Sequence, residues 1–279
     1  MLFTIYDYPN WAMALAASLA FAAIGAAGLL LVRRWLHPWL HRDTNINEMV
    51  GFANSSFSML YGLLLGLLAV AAYQGFSVTS DLALAEANTL AALHGSAGAL
   101  PDPAGANMRT SLRHYTREVI DVSWPLQRDG VVPTGTSPII AHFLDQLQTF
   151  EPKTMREQNL QSEALTLAND LVQIRRTRLN SVDGGIPDIL WWVVLAGAVI
   201  NIMLLWMLNM ARHTHMILTA LVSGFLGLVI FLVAAMDHPF RGDVSVGPEA
   251  FETVYQSLML PDAQPSLRLS LPTPPTPSD

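Results

Sequence analysis

The chain contains no cysteine, which excludes disulfides, thiolate metal sites, iron–sulfur clusters and a cysteine nucleophile. Lysine occurs once, as Lys153, and no Gly-Lys-Ser/Thr sequence exists, so a P-loop is excluded. Charge is scarce: 13% of the 279 residues are Asp, Glu, Lys or Arg, against about 25% in an ordinary soluble domain. The net charge of −7 offers no basic face to nucleic acid. Neither a His-Glu-x-x-His zinc motif nor a Gly-x-Ser-x-Gly nucleophile elbow occurs. With no legible set of nucleophile, base and orienting group, an enzyme is not expected, nor is a cofactor or a bound metal.

The charges that remain are unevenly spread. Four stretches, Tyr8–Val32, Met49–Ser80, Ile189–Ala211 and His213–Met236, contain none. Each holds an apolar run long enough to cross a bilayer: Trp11–Val32, Phe52–Tyr73, Ile189–Leu208 and Met216–Met236. About 20 residues rising 1.5 Å each span a hydrocarbon core of about 30 Å. A charge at mid-bilayer would cost at least about 2.5–3.5 kcal/mol. The runs are too long and too unalternating for barrel strands, which leaves helices. The expected fold is all-α, with four transmembrane helices and a helical extramembrane bundle between the second and third. The expected segments are 1–75 (helices one and two), 76–188 (the bundle), 189–236 (helices three and four), 237–260 (a post-membrane segment with a short helix) and 261–279 (a disordered, proline-rich tail). The competing reading of the four runs is a large soluble helical core.

Asp7 precedes the first run and Arg33, Arg34 and Arg42 follow it, the reverse of a cleaved signal peptide. The second short connection carries Arg212. The positive-inside rule places both short connections in the cytoplasm and the 76–188 segment outside. Arg175, Arg176 and Arg178, close to the third run, pull the other way, and these arginines also stand within reach of lipid phosphates.

The middle segment is helical by its spacing. Ser80 and Asp81 open an Ala- and Leu-rich stretch that continues the second span out of the bilayer to His94. From Asn107 to Ser123, Met108, Leu112, Tyr115, Val119 and Ile120 recur at three and four, the mark of one buried face. Trp124-Pro125 is expected to stop that helix. Ser137-Pro138 starts another, to Phe150. Pro152 opens a last one whose buried face is Leu160, Ala164, Leu167, Leu171 and Ile174, and Gly184-Gly185 ends it. Pro248 begins a short amphipathic helix with Phe251, Val254, Tyr255 and Leu258.

Several polar residues fall at informative places. Asn54, Ser55 and Ser58 form a polar patch at the start of the second span, and Asn201 is the one strong hydrogen-bonding side chain in the middle of the third. Such residues bond neighbouring helices; read otherwise, they line a pore. Gly62-x-x-x-Gly66 permits close helix approach. Arg109, Arg113 and Arg117 form a ladder at helical spacing, either a solvated face with ion pairs or an anion-attracting vestibule if several subunits turn it to an axis. After the fourth span comes Asp237-His238-Pro239-Phe240-Arg241-Gly242, read as a turn in which Asp237 caps the backbone and Arg241 reaches a carboxylate, in preference to catalysis by Asp237 and His238. His37 and His41 stand four apart around Pro38, and His213 and His215 two apart; neither pair completes a metal site, and His114 and His142 lack a recognisable partner.

Four segments carry a resemblance: Asn47–Phe76 (NEMVGFANSSFSMLYGLLLGLLAVAAYQGF), Val122–Thr134 (VSWPLQRDGVVPT), Ile174–Leu179 (IRRTRL) and Met236–Phe251 (MDHPFRGDVSVGPEAF). Together they resemble the bacterial bestrophin-like family, a group of integral membrane proteins built on a domain of unknown function. The resemblance covers nearly the whole chain except the tail. True bestrophins are pentameric anion channels with four spanning regions and an Asn-Pro-Phe-Gly motif after the last. His238-Pro239-Phe240-Arg241-Gly242 is similar, with His for Asn and one residue inserted before the glycine. The acid-rich calcium clasp of animal bestrophins has no match, since Asp243 and Glu249 stand alone. The resemblance implies a multi-pass protein of the bacterial inner membrane, a homo-oligomeric channel for inorganic ions, anions first, with the lipid bilayer as its partner. The alternative is a non-conducting structural or sensory membrane protein whose bundle binds a partner.

Overall fold

The computed structural model describes residues 9–40, 46–132, 135, 137–182, 184–242 and 245–260, with the main chain alone at 34–40 and 46. The side chains of His37 and His41, Asp243 and the tail from 261 lie outside the described residues. Nine α-helices run among the described residues: α1 (Asn10–Leu40), α2 (Ile46–Gly98), α3 (Ala104–Glu118), α4 (Trp124–Arg128), α5 (Pro138–Thr149), α6 (Met155–Asn180), α7 (Asp188–Trp206), α8 (Arg212–Asp237) and α9 (Glu249–Val254). Two π-helical stretches, Val119–Ser123 and Tyr255–Met259, follow α3 and α9. The fold is all-α, and four helices are long and apolar enough to cross a membrane: α1, α2, α7 and α8. At 53 residues α2 is about 80 Å long, far more than a bilayer core can hold along its normal.

The chain divides into two compact units: residues 1–77 with 184–245, and 78–183 with 246–279. The post-membrane segment is therefore split, its helix α9 belonging with the middle segment.

In the first unit, α1 lies along α8 through small residues. A side chain at Gly227 would meet the Ala17 carbonyl oxygen and the Phe21 Cβ, both at 2.8 Å. Trp206 Nε1 donates to the Gly25 carbonyl oxygen at 2.9 Å, closing α7 onto α1. Apolar groups gain nothing by leaving lipid for one another, so close backbone approach and buried polar bonds supply the cohesion. A core of Tyr61, Leu65, Leu68 and Ala72 from α2, Val194, Ala198 and Ile202 from α7, and Leu226, Ile230 and Val233 from α8 fills the interior. Leu19, Leu63, Val199 and Leu221 point outward. Asn47 Nδ2 donates to the Asn209 carbonyl oxygen (2.9 Å), and its Oδ1 accepts from Asn209 N–H (2.7 Å). Arg33 Nη2 reaches the Met210 carbonyl oxygen (3.4 Å). The end of α1 near Arg33 and the start of α2 at Asn47 thus both meet the connection between α7 and α8.

In the second unit, Trp124-Pro125 does not stop the chain's helical course. The π-helical stretch leads straight into α4, and Pro125 sits in the first turn of α4, where a missing N–H leaves no helical bond unmade. Ser137 caps α5, its hydroxyl accepting from Ile139 N–H. Thr154 caps α6 by accepting from Glu157 N–H, and Glu157 accepts from Lys153 N–H at 2.7 Å, a reciprocal arrangement like the capping box. The buried face of α6 is Ala164, Ala168, Leu171, Arg175, Arg178 and Leu179, rotated from the one expected, so that Leu160, Leu167 and Ile174 are only half-buried.

The α1–α8 crossing generates a direct test. Gly227→Leu should destabilise the protein by about 1–3 kcal/mol through overpacking, read as a lowered unfolding midpoint in SDS titration of the detergent-purified protein. An unchanged midpoint would contradict this packing.

Candidate functional site

The polar residues of α2 separate into two groups. Ser58 accepts a hydrogen bond at Oγ from Asn201 Nδ2 at 2.9 Å, across the α2–α7 contact. One turn further along α2, Tyr61 donates to the Val194 carbonyl oxygen at 2.8 Å, and its ring occupies the space that a side chain at Gly197 would need. Asn54 Oδ1 is buried with no hydrogen-bond partner among the described residues. Asn201 itself is buried. Ser58 and Asn201, expected as pore-lining candidates, thus bond one another within the protomer. Ser55 lies on the outward side of α2, its hydroxyl bonded back to the Gly51 carbonyl oxygen at 2.9 Å. With it stand Phe52, Met59, Gly62, Leu63, Gly66, Leu67 and Val70, all exposed. Among the described residues, and apart from the backbone of α2 itself, no atom lies within 4 Å of where a side chain at Gly62 or Gly66 would project. No described residue of the protomer packs against the small-residue motif.

The motif after α8 is a tight turn. Arg241 N–H donates to the His238 carbonyl oxygen at 3.1 Å, with Pro239 at the position that favours its fixed φ. Gly242 follows at φ +82°, a conformation that other residues rarely adopt. Phe240 and Pro239 are buried, while His238 and Arg241 are half-exposed. Asp237, at the end of α8, is buried and accepts from Ile186 N–H at 2.6 Å and from Trp191 Nε1 at 3.1 Å. It ties the entry of α7 to the exit of α8.

The arginine ladder on α3 is heterogeneous. Arg117 Nε donates to Asp121 at 2.8 Å, and its guanidinium lies 5.4 Å from the Tyr255 ring centroid. Hydrogen bonding to Tyr255 and to Asp121 raises its pKa. Arg109 stands 4.0 Å from Asp102. Arg113 bonds the Thr110 hydroxyl at 2.8 Å. Partial burial, and then the charge of Arg109, lower its pKa.

The densest chemistry of the second unit lies elsewhere. Arg178 is fully buried and pairs with the equally buried Glu86, Nε to Oε2 at 2.6 Å and Nη2 to Oε1 at 3.3 Å. Its Nη1 donates to Gln127 Oε1, and Tyr115 donates to Glu86 Oε1 at 2.8 Å. The guanidinium lies over the Trp124 ring at 4.7 Å and near the Phe251 ring at 5.7 Å. Trp124 Nε1 in turn donates to the Val246 carbonyl oxygen at 3.1 Å, so the C-terminal segment closes the box. Burial, reinforced by the Glu86 charge, pushes the Tyr115 phenol well above its ordinary value.

Arg178 and Arg175 are therefore not available to lipid phosphates as their position near the third run implied; of the three arginines only Arg176 is exposed. The reason is the rotated face of α6. Glu86 was a missed signal: a lone carboxylate flanked by Ala83, Ala87 and Leu90, all three at buried spacing.

The Glu86–Arg178 pair is open to test from both sides. Arg178→Met alone should cost about 3–5 kcal/mol because it strands a buried carboxylate, and Glu86→Leu/Arg178→Met together should recover most of the loss; denaturant titration of the two variants separates these outcomes. A second expectation concerns pH. The folded protein holds Tyr115 protonated above the unfolded value of 10.0. Its contribution is fully present below that value and is lost as pH rises through the folded pKa. Wild-type stability should fall more steeply above pH 10 than that of Tyr115→Phe, and parallel alkaline profiles would refute the assignment.

A family model described as a bestrophin-like domain matches residues 19–251. A solved structure, described as the crystal structure of a membrane protein, is similar in fold, with a TM-score of 0.61 at 13% identity, over 89% of this chain and 97% of that one. A search of curated proteins found no match. The matched span takes in the four apolar helices from Leu19 onward, the Glu86–Arg178 box and the turn after α8. The chain is a multi-pass membrane protein and belongs to the bestrophin-like family.

Proposed function

We propose that the protein is a homo-oligomeric ion channel in which the outward side of α2 lines the path. One observation carries this reading: α2 presents Ser55, Gly62 and Gly66 on an open side, with no helix among the described residues against the two glycines. Bare backbone and hydroxyls are a poor match to hydrocarbon, where large apolar side chains such as the exposed Leu221 and Phe225 of α8 are the favoured cover. Turned towards an axis shared by several copies, the same residues leave room for an ion path and offer dipoles to it. An anion is favoured because α2 carries no carboxylate between Glu48 and Asp81, and because true bestrophins conduct anions. In this reading the protein is not an enzyme, Asn54, Ser58 and Asn201 serve assembly of the protomer, and the inner membrane of a bacterium is its place.

Liposome flux tests the proposal. Purified wild type should pass chloride, and Ser55→Leu should reduce or reselect that flux by about tenfold, the factor that 1.4 kcal/mol confers. Ser58→Ala should lower stability by about 0.6 kcal/mol, the mean for a bond between membrane helices, with selectivity kept. A well-folded protein that is strictly monomeric, or passes no ion of either sign, sinks the channel reading and leaves the non-conducting one.

A further inference from the structure

The second unit carries a partly buried cation with no counter-charge beside it among the described residues. Arg113 sits in the middle of α3, between Arg109 one turn before and Arg117 one turn after. Arg117 is engaged by Asp121 and Tyr255, and Arg109 has Asp102 within 4.0 Å. Arg113 has a neutral contact, the Thr110 hydroxyl at 2.8 Å, and no carboxylate lies within salt-bridge distance of it among the described residues. The charged or ionisable groups that act on it are Arg109 and Tyr255.

Tyr255 reaches α3 from a different part of the chain. It opens the π-helical stretch after α9, and that stretch is anchored where Thr116 Oγ1 donates to Met259 Sδ at 3.3 Å. Single-turn π segments are frequent at functional sites because they re-aim side chains that a regular helix would turn elsewhere. Here the result is a phenol brought beside two arginines of α3.

We propose that Arg113, flanked by Arg109 and Tyr255, forms a binding site for a phosphate-type oxyanion. A guanidinium binds two oxygens of one anion through parallel N–H bonds, a geometry that chloride cannot use. An oxyanion would supply the counter-charge that Arg113 lacks among the described residues and accept from the Tyr255 hydroxyl. Both forces that depress the Arg113 pKa, burial and the repulsion of Arg109, are offset by such a ligand. The same chemistry is offered by a free phosphate and by a phosphomonoester lipid headgroup. The site does not depend on whether the protein conducts.

The test is isothermal titration of the full-length protein in neutral detergent, with inorganic phosphate and pyrophosphate against chloride at matched ionic strength. Flotation with vesicles of phosphatidylcholine, with and without phosphatidic acid, forms the second arm. Saturable binding of the free anions identifies a soluble ligand. Binding confined to the phosphatidic-acid vesicles identifies a headgroup, and either result supports the site. Arg113→Gln should weaken the observed binding by tenfold or more, and Tyr255→Phe by severalfold. Arg128→Gln, which removes an exposed charge at the end of α4, should leave it unchanged. Arg113→Lys keeps the charge without the fork and should fall between wild type and Arg113→Gln; it provides the reading if Arg113→Gln misfolds. Wild type that binds neither free anion nor phosphatidic acid overturns the proposal. So does Arg113→Gln, or in its place Arg113→Lys, binding as wild type, or Arg128→Gln losing as much as Arg113→Gln.

Discussion

Hydrocarbon cannot hydrogen-bond a peptide group, and the arrangement of the first unit follows from that constraint. Four stretches free of charge must each satisfy their backbone internally, so each becomes a helix. Because lipid is as apolar as leucine, burying more leucine holds nothing together. Cohesion comes instead from glycines that let α1 and α8 touch, from Trp206 reaching a backbone carbonyl, and from the Asn201–Ser58 bond. Most of the apolar surface stays outside: only 11% of the α1 span is buried within the chain.

The second unit solves the opposite problem. It is built from helices with many polar residues and is held around a buried charge pair. Glu86 and Arg178 are both fully buried, and each has its remaining groups occupied by Tyr115 or Gln127. Such a pair adds little net stability over an apolar substitute, yet it is costly to break from one side. It fixes a register. Arg178 fits where Trp124 and Phe251 flank it, which requires the π-helical turn before Trp124 and the return of the C-terminal segment. The Arg113 cluster uses the same return, since Tyr255 directly follows the helix that carries Phe251.

The membrane helices were legible because the signal is local: an absence of charge over about 20 residues has one ready explanation. The partners of the site residues were not legible, because they are distant in the chain. Ser58 and Asn201 are 143 residues apart, and Glu86 and Arg178 are 92 apart. Spacing on α6 pointed to Leu160, Leu167 and Ile174 as the inner face. A charged Arg178 reads as surface until its carboxylate is known, so the rotation of that face was hidden. Trp124-Pro125 reads as a stop because proline breaks helix interiors, whereas here a π-helical turn restarts the helix with proline in its first turn. The turn at His238–Gly242 was legible as a turn, and its left-handed glycine is the reason for the residue type.

The absence of native cysteine makes the central claim, that lipid surrounds the outward faces of the uncharged helices, open to a clean measurement. Single cysteines at Leu19, Val199 and Leu221, all outward-facing on α1, α7 and α8, and at Glu163, an exposed residue of α6, can be reacted with a membrane-impermeant maleimide in reconstituted, detergent-permeabilised and intact vesicles. With lipid around those helices, the first three stay unreactive in every bilayer preparation, while Glu163→Cys reacts wherever the reagent reaches its side. Rapid labelling of the Leu19, Val199 and Leu221 positions in bilayers would show that water, not hydrocarbon, covers those helices, and would contradict the claim.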